Sequence, residues 1–126
     1  MLNNNNSNTA VVLKPADSKI ALYCRAARKN DHAIKEQKLW LSRFIRQTGY
    51  KNPRWYFDNG DEGKTLDRPA MNALMEDIKA GAVDTVAVVS VDRISRGFSI
   101  LAEWMRFCEA HNVRCISVES GEFNLV

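Results

Sequence analysis

The stretch Asp84-Thr-Val-Ala-Val-Val-Ser-Val91 constrains the fold more than any other part of the chain. It is almost wholly apolar and rich in β-branched residues, and it is too short to be a core helix. It also lacks the polar alternation that would put one face in water. Such a segment predicts a strand buried on both faces, which requires helices on both sides of a largely parallel sheet.

The flanking segments agree with that demand. Lys19–Arg25 has strand composition, and Asn30 or Asp31 can cap a helix running to about Thr48. Ile34, Leu41, Phe44, Ile45 and Thr48 form its apolar stripe, with Gly49 as the stop. Arg54–Asp58 reads as a second strand, followed by a polar loop from Asn59 to Arg68. Pro69 suits the first turn of a helix, where its missing N–H costs nothing. Met71, Leu74, Met75 and Ile78 give that helix its buried face, and Gly81 ends it. Leu101, Trp104, Met105 and Cys108 mark a third helix, and Val113–Val118 a last strand. The order β-α-β-α-β-α-β predicts a three-layer α/β domain over residues 19–126, with a mainly parallel sheet of four to five strands. Residues 1–18, Asn-rich and polar, are expected to be a disordered leader.

Composition narrows the function classes. The chain has 126 residues, 45% of them hydrophobic and 26% charged, which fits one globular domain and excludes wholesale disorder. No apolar run approaches a membrane span, and the N-terminus has no secretory pattern. Three cysteines (Cys24, Cys108, Cys115) without a C-x-x-C pair argue against a disulfide framework or a four-ligand zinc site and suggest the cytoplasm. The net charge is +3, but residues 25–54 alone carry +7 and residues 55–126 carry −5. The basic segment suggests an anionic partner, with nucleic acid the obvious class, although a solvated helix face would look the same.

In a parallel α/β sheet ligands bind at the carboxyl ends of the strands. Those ends fall at Arg25, Asp58, Asp92-Arg93 and near Glu119. Gly60-Asp-Glu-Gly63-Lys64-Thr65 lacks the spacing of a phosphate-binding loop, because Asp58 stands where the first glycine belongs. No G-x-G-x-x-G follows the first strand, so no dinucleotide cofactor is expected. Asp58 and Asp92 could in principle hold Mg²⁺, but Arg93 competes for Asp92, and no metal is expected. His32 and His111 sit near helix ends as surface residues, and Trp40, Trp55 and Trp104 read as core or core-edge aromatics. Arg93 and Arg96 are three apart, so a helical turn would place both guanidinium groups on one side. Two such forks can grip a phosphodiester and neutralise the charge that builds in its transition state. A surface ion-pair cluster around Asp92 is the alternative.

Four motifs follow one another along the chain: Tyr23-Cys24-Arg25, Glu36-Gln37, Asp58-Asn-Gly-Asp-Glu-Gly63 with Arg68-Pro69, and Asp92-Arg93-Ile94-Ser95-Arg96. Together they resemble the catalytic domain of serine site-specific recombinases, the resolvase/invertase family. Tyr23-Cys24-Arg25 resembles the start of that family's Y-x-R-V-S, and Glu36-Gln37 its helix E-Q. Asp58-Asn-Gly-Asp-Glu-Gly63 with Arg68-Pro69 resembles D-x-G-x-S-G followed by R-P. Asp92-Arg93-Ile94-Ser95-Arg96 resembles D-R-x-S-R. The resemblance covers about residues 19–120 and implies metal-free DNA strand exchange, in which a serine attacks a DNA phosphate within a dimer that pairs into a tetramer. It implies that Arg25, Arg68, Arg93 and Arg96 bind phosphate, that Asp92 orients an arginine or assists proton transfer, and that Tyr23, Gln37, Asp58 and Gly63 support the site.

The departure is at the centre. The nucleophile position holds Ala27, whose methyl group cannot form a phosphoester. Ser18, Ser90, Ser95 and Tyr23 are poor substitutes by position. The serine of S-G is Glu62, a carboxylate that repels a DNA phosphate. Two losses suit a naturally degenerate homologue better than a single engineered knockout of an active recombinase. No long helix or DNA-binding region follows within these 126 residues. The expected function is a DNA-associated pseudoenzyme that pairs with itself or with an active recombinase and modulates it. An active recombinase domain captured as an inactive variant, and an interaction module that kept only the fold, are the alternatives.

Overall fold

A computed structural model describes residues 17–119 and 121–123. Nearly all of the expected leader lies outside them. Strand β1 (Ile20–Ala26) leads through helix α1 (Asp31–Thr48) to β2 (Arg54–Asn59), and helix α2 (Pro69–Lys79) leads on to β3 (Thr85–Val88). A 3₁₀ turn (Val91–Arg93), helix α3 (Phe98–Ala110), β4 (Arg114–Ser117) and a short β5 (Gly121–Phe123) complete the order. The sheet order is β2-β1-β3-β4-β5. The first four strands are parallel and β5 pairs antiparallel with β4.

Side-chain alternation along β1 sorts the core into two layers. Ile20, Leu22, Cys24 and Ala26 face α1 and pack with Ile34 and Leu41. Ala21 and Tyr23 face the other way, onto Met71, Leu74 and Ile78 of α2 and Trp104 and Cys108 of α3. Chain direction accounts for this division. The β1-to-β2 crossover runs toward one sheet edge and the next two run toward the other, so right-handed crossovers put α1 alone on its face. The first two helices begin where the sequence suggests, after Asn30 and at Pro69. Asn30 is the N-cap of α1, its side chain accepting from the Ala33 amide at 3.0 Å, and Gly49 closes that helix in the left-handed conformation.

The apolar strand is shorter than the sequence suggests. It runs Thr85–Val88 rather than Asp84–Val91, because the chain folds back at Ser90: Arg93 and Ile94 donate to the carbonyls of Ser90 and Val91. Ser90 and Asp92 therefore lie beyond the strand, on a turn. Trp40 is a second correction. It stands 46% exposed on α1 rather than at the core edge, whereas Trp104 is fully buried.

Candidate functional site

The strand order reverses between β1 and β3: α1 leaves β1 toward one edge and α3 follows β3 toward the other. The carboxyl ends of these two strands are the usual ligand position in such sheets, and we call the site there the crevice. Arg25 ends β1 there, and the Val91–Arg93 turn follows β3.

Arg25 is only 3% exposed, and its guanidinium is held by three backbone carbonyls. Its Nε donates to Arg93 at 2.8 Å, Nη1 to Asp61 at 2.6 Å, and Nη2 to Asp92 at 2.8 Å. One side chain thus ties the loop after β2 to the turn after β3. Burial, and then the charge of Arg68, lower its pKa from the ordinary arginine value. The Arg25 backbone is held as firmly. Gln37, buried on α1, accepts from its amide at 3.1 Å and donates to its carbonyl at 3.0 Å, much as a neighbouring strand would. Arg93 Nη1 donates to the same carbonyl at 3.1 Å.

Arg68 is 2% exposed. It donates to the Thr65 carbonyl from Nε, to the Tyr23 hydroxyl from Nη1 at 2.9 Å, and to the Ile94 carbonyl from Nη2. Tyr23 passes the interaction on, its hydroxyl donating to Asp58 Oδ2 at 2.7 Å. Asp58 in turn accepts from the Ala70 and Met71 amides at 2.8 and 3.0 Å. Arg68, the N-cap residue of α2, makes no side-chain cap bond, so a carboxylate from β2 caps this helix and meets the positive end of its dipole. Burial, followed by the hydrogen bond to Asp58, raises the Tyr23 pKa well above that of a free phenol. Asp58 is thereby committed to structural hydrogen bonds, and among the described residues no cluster of His, Cys, Asp or Glu has the makings of a metal site.

The remaining positions lie at the outer rim. Arg93 turns inward, whereas Arg96 turns outward and meets Asp92 at 3.8 Å. The two do not share one side of a helical turn, since the 3₁₀ turn has ended before Arg96. Asp92 also accepts from the Ser90 hydroxyl. Ala27 is exposed directly after β1. Glu62 is exposed and pairs with Lys64 at 3.3 Å. Gly63 is buried against the Arg25 guanidinium, and its carbonyl accepts from Ser95 at 3.1 Å.

The structure thus gathers Tyr23, Arg25, Gln37, Asp58, Gly63, Arg68, Asp92 and Arg93 into one largely buried hydrogen-bonded cluster at the carboxyl ends of the strands, with Ala27, Glu62 and Arg96 exposed at its rim. Sequence reasoning missed the carbonyls of Asp61 and Ile94, and also Asn59. The Asn59 side chain accepts from the Asn30 amide at 2.7 Å and donates to Asp31 at 2.8 Å, which joins the end of β2 to the start of α1. Carbonyls carry no sequence signal, but an Asn after a strand end is a recognisable turn and cap residue.

The family model for the resolvase N-terminal domain matches residues 20–125. This chain belongs to the resolvase family. A curated protein of Bacillus subtilis (strain 168), named "Putative DNA recombinase", is 35% identical over 79 residues, which make up 61% of this chain and 16% of that protein. The chain therefore spans about a sixth of the length of that relative. Among solved structures, the N-terminal catalytic domain of TP901-1 integrase is 30% identical with a TM-score of 0.74, covering 81% of this chain and 79% of that one. A resolvase family site-specific recombinase from Streptococcus pneumoniae is 28% identical with a TM-score of 0.72, covering 83% and 74%. The resolvase-like α/β fold is shared with both, and the chain is a serine-recombinase-like domain of the class found in site-specific recombinases. No helix among the described residues is long and apolar enough to cross a membrane.

Proposed function

We propose that this resolvase-family domain has lost strand cleavage and acts in the cytoplasm as a DNA-associated pseudoenzyme, pairing with itself or with an active recombinase and modulating its assembly. One observation carries the reading. Ala27, at the position of the family's nucleophile, stands exposed beside an intact arginine framework. A methyl group offers no atom to attack phosphorus, and the arginines can stabilise a transition state only after such an attack. Glu62 adds a negative charge at the same rim. In this reading Arg25, Arg68 and the inward-turned Arg93 brace the site, while Arg96, exposed at its rim, presents charge to a DNA phosphate and Asp92 orients it.

The test is covalent capture on a denaturing gel, using the full chain and a randomised DNA duplex. The natural chain and its Ala27→Ser variant should both yield no protein–DNA adduct, the second because Glu62 still opposes the phosphate. An adduct from the natural chain, or from Ala27→Ser alone, would overturn the reading of a decayed site. Association with DNA is tested separately by duplex binding across a salt series, since phosphate contacts release counterions. Absence of binding at low salt would remove DNA from the proposal. One observation favours a fold-only interaction module instead: the guanidinium groups of Arg25 and Arg68 are already engaged by the protein's own carbonyls.

A further inference from the structure

The solvent face of α1 plays no part in the crevice, yet it has an unusual charge arrangement. Lys35, Lys38, Arg43 and Arg46 are all exposed on this one helix. Elsewhere, many exposed cations meet carboxylates: Lys29 pairs with Asp31, Arg54 with Asp77, Lys64 with Glu62, Lys79 with Glu76 and Arg96 with Asp92, whereas Arg28, Lys51 and Arg106 stand singly, away from one another in sequence. None of these ion pairs involves the four residues on α1, and Glu36 is the one carboxylate between positions 35 and 46.

Two of the four cations are placed by aromatic rings instead. Lys38 Nζ lies 5.4 Å from the centre of the Phe57 ring, and Arg43 Cζ lies 4.8 Å from that of Trp40. A cation–π contact orders a long side chain and leaves its charge uncompensated, whereas an exposed ion pair offsets part of it. Trp40 and Phe57 remain 46% and 39% exposed. Lys35 and Arg46 are eleven residues apart, close to three whole turns, so they share one azimuth about 16 Å apart along the axis. Lys38 and Arg43, held by their rings, flank this row on either side. A duplex carries one charge per roughly 1.7 Å of its length, so a face of this span meets several phosphates at once.

We infer that the outer face of α1 is a second nucleic-acid contact, separate from the crevice, whose ligand is the phosphate backbone of duplex DNA. The inference rests on the proposed association with DNA and adds the surface that provides most of its affinity. Its contribution is electrostatic and independent of sequence, because no side chain on this face is arranged to read base edges.

Fluorescence anisotropy of the full chain with a labelled random-sequence duplex, from about 50 to about 200 mM salt, tests this. Replacing Lys35, Lys38, Arg43 and Arg46 together by Gln should lower the slope of log K against log salt by about 3 to 4, near 0.9 for each lost phosphate contact. Changing Lys51, Arg54, Lys79 and Arg106 to Gln removes the same charge elsewhere and should leave the slope nearly unchanged. Circular dichroism establishes that each variant is folded. Equal losses from both sets would overturn the inference, as would a helix variant that binds like the natural chain. Equally effective competition by polyglutamate at matched charge would also overturn it, marking the face as a site for acidic protein. An Arg93→Ala/Arg96→Ala variant separates the two proposals. If only that pair matters, the crevice reading stands and the α1 contact falls; if no variant changes a measurable affinity, both fall.

Discussion

A Cβ on Gly63 would lie 2.8 Å from Cζ of Arg25. Gly63 has φ +82, so it is doubly constrained: the backbone sits in the left-handed region and the guanidinium occupies the space a side chain needs. Gly63→Ala is expected to destabilise the fold by about 2 to 4 kcal/mol, combining left-handed strain with overpacking. Urea unfolding checks this, and a loss below about 0.5 kcal/mol would mean that Arg25 moves aside freely.

Asp58 caps α2 from another element. Asp58→Ala should cost about 3 kcal/mol, because it strips the Ala70 and Met71 amides and the Tyr23 hydroxyl of their acceptor in a buried site. Asp58→Asn retains one acceptor oxygen and should fall between. If the two substitutions unfold at the same denaturant concentration as the natural chain, the cap has no energetic role.

Gln37 supplies Arg25 with the backbone partners that no strand provides. Gln37→Leu leaves the Arg25 amide without an acceptor and should cost about 1 to 3 kcal/mol. The Arg25 carbonyl keeps its Arg93 donor, so the damage should concentrate at the amide. Hydrogen exchange at that amide should speed up more than exchange in β4; equal acceleration everywhere would count against a local role.

Alkaline pH should unfold the domain in a defined window. Burial pushes the Cys24 thiol up to about 12 from an ordinary 9.0, and Cys115 up to about 11. Burial, then the hydrogen bond to Asp77, pushes Tyr56 up to about 12 from 10.0. Each value is raised by folding, so each group contributes stability that is intact below its unfolded value and lost as pH rises through its folded one. The Tm should hold steady to about pH 9 and fall from there toward about pH 12. Tyr56→Phe should soften the upper part of that fall, and a Tm unchanged up to pH 12 would refute the assignment.

Much of the architecture was legible in the sequence because it rests on near neighbours. Helical stripes such as Met71, Leu74 and Ile78, the Asn30 cap and the Gly49 stop all act within a few residues of themselves. The double-sided burial of Thr85–Val88 follows from its own composition, and so does the α/β class. The motif residues Arg25, Arg68 and Asp92-Arg93 were likewise visible in order along the chain, and so was the alanine at position 27.

What each of those residues does was decided by the tertiary structure. Sequence treated the four arginines as equals; the fold buries Arg25 and Arg68 and leaves Arg96 in water. The reason is that a guanidinium can be buried only where several acceptors converge. The acceptors of Arg25 come from Asp61, Asp92 and Arg93, 36 to 68 residues away. They meet only because β1 lies between β2 and β3 in the sheet. Residue type fixed which groups could bind, and long-range backbone placement determined which of them were already bound.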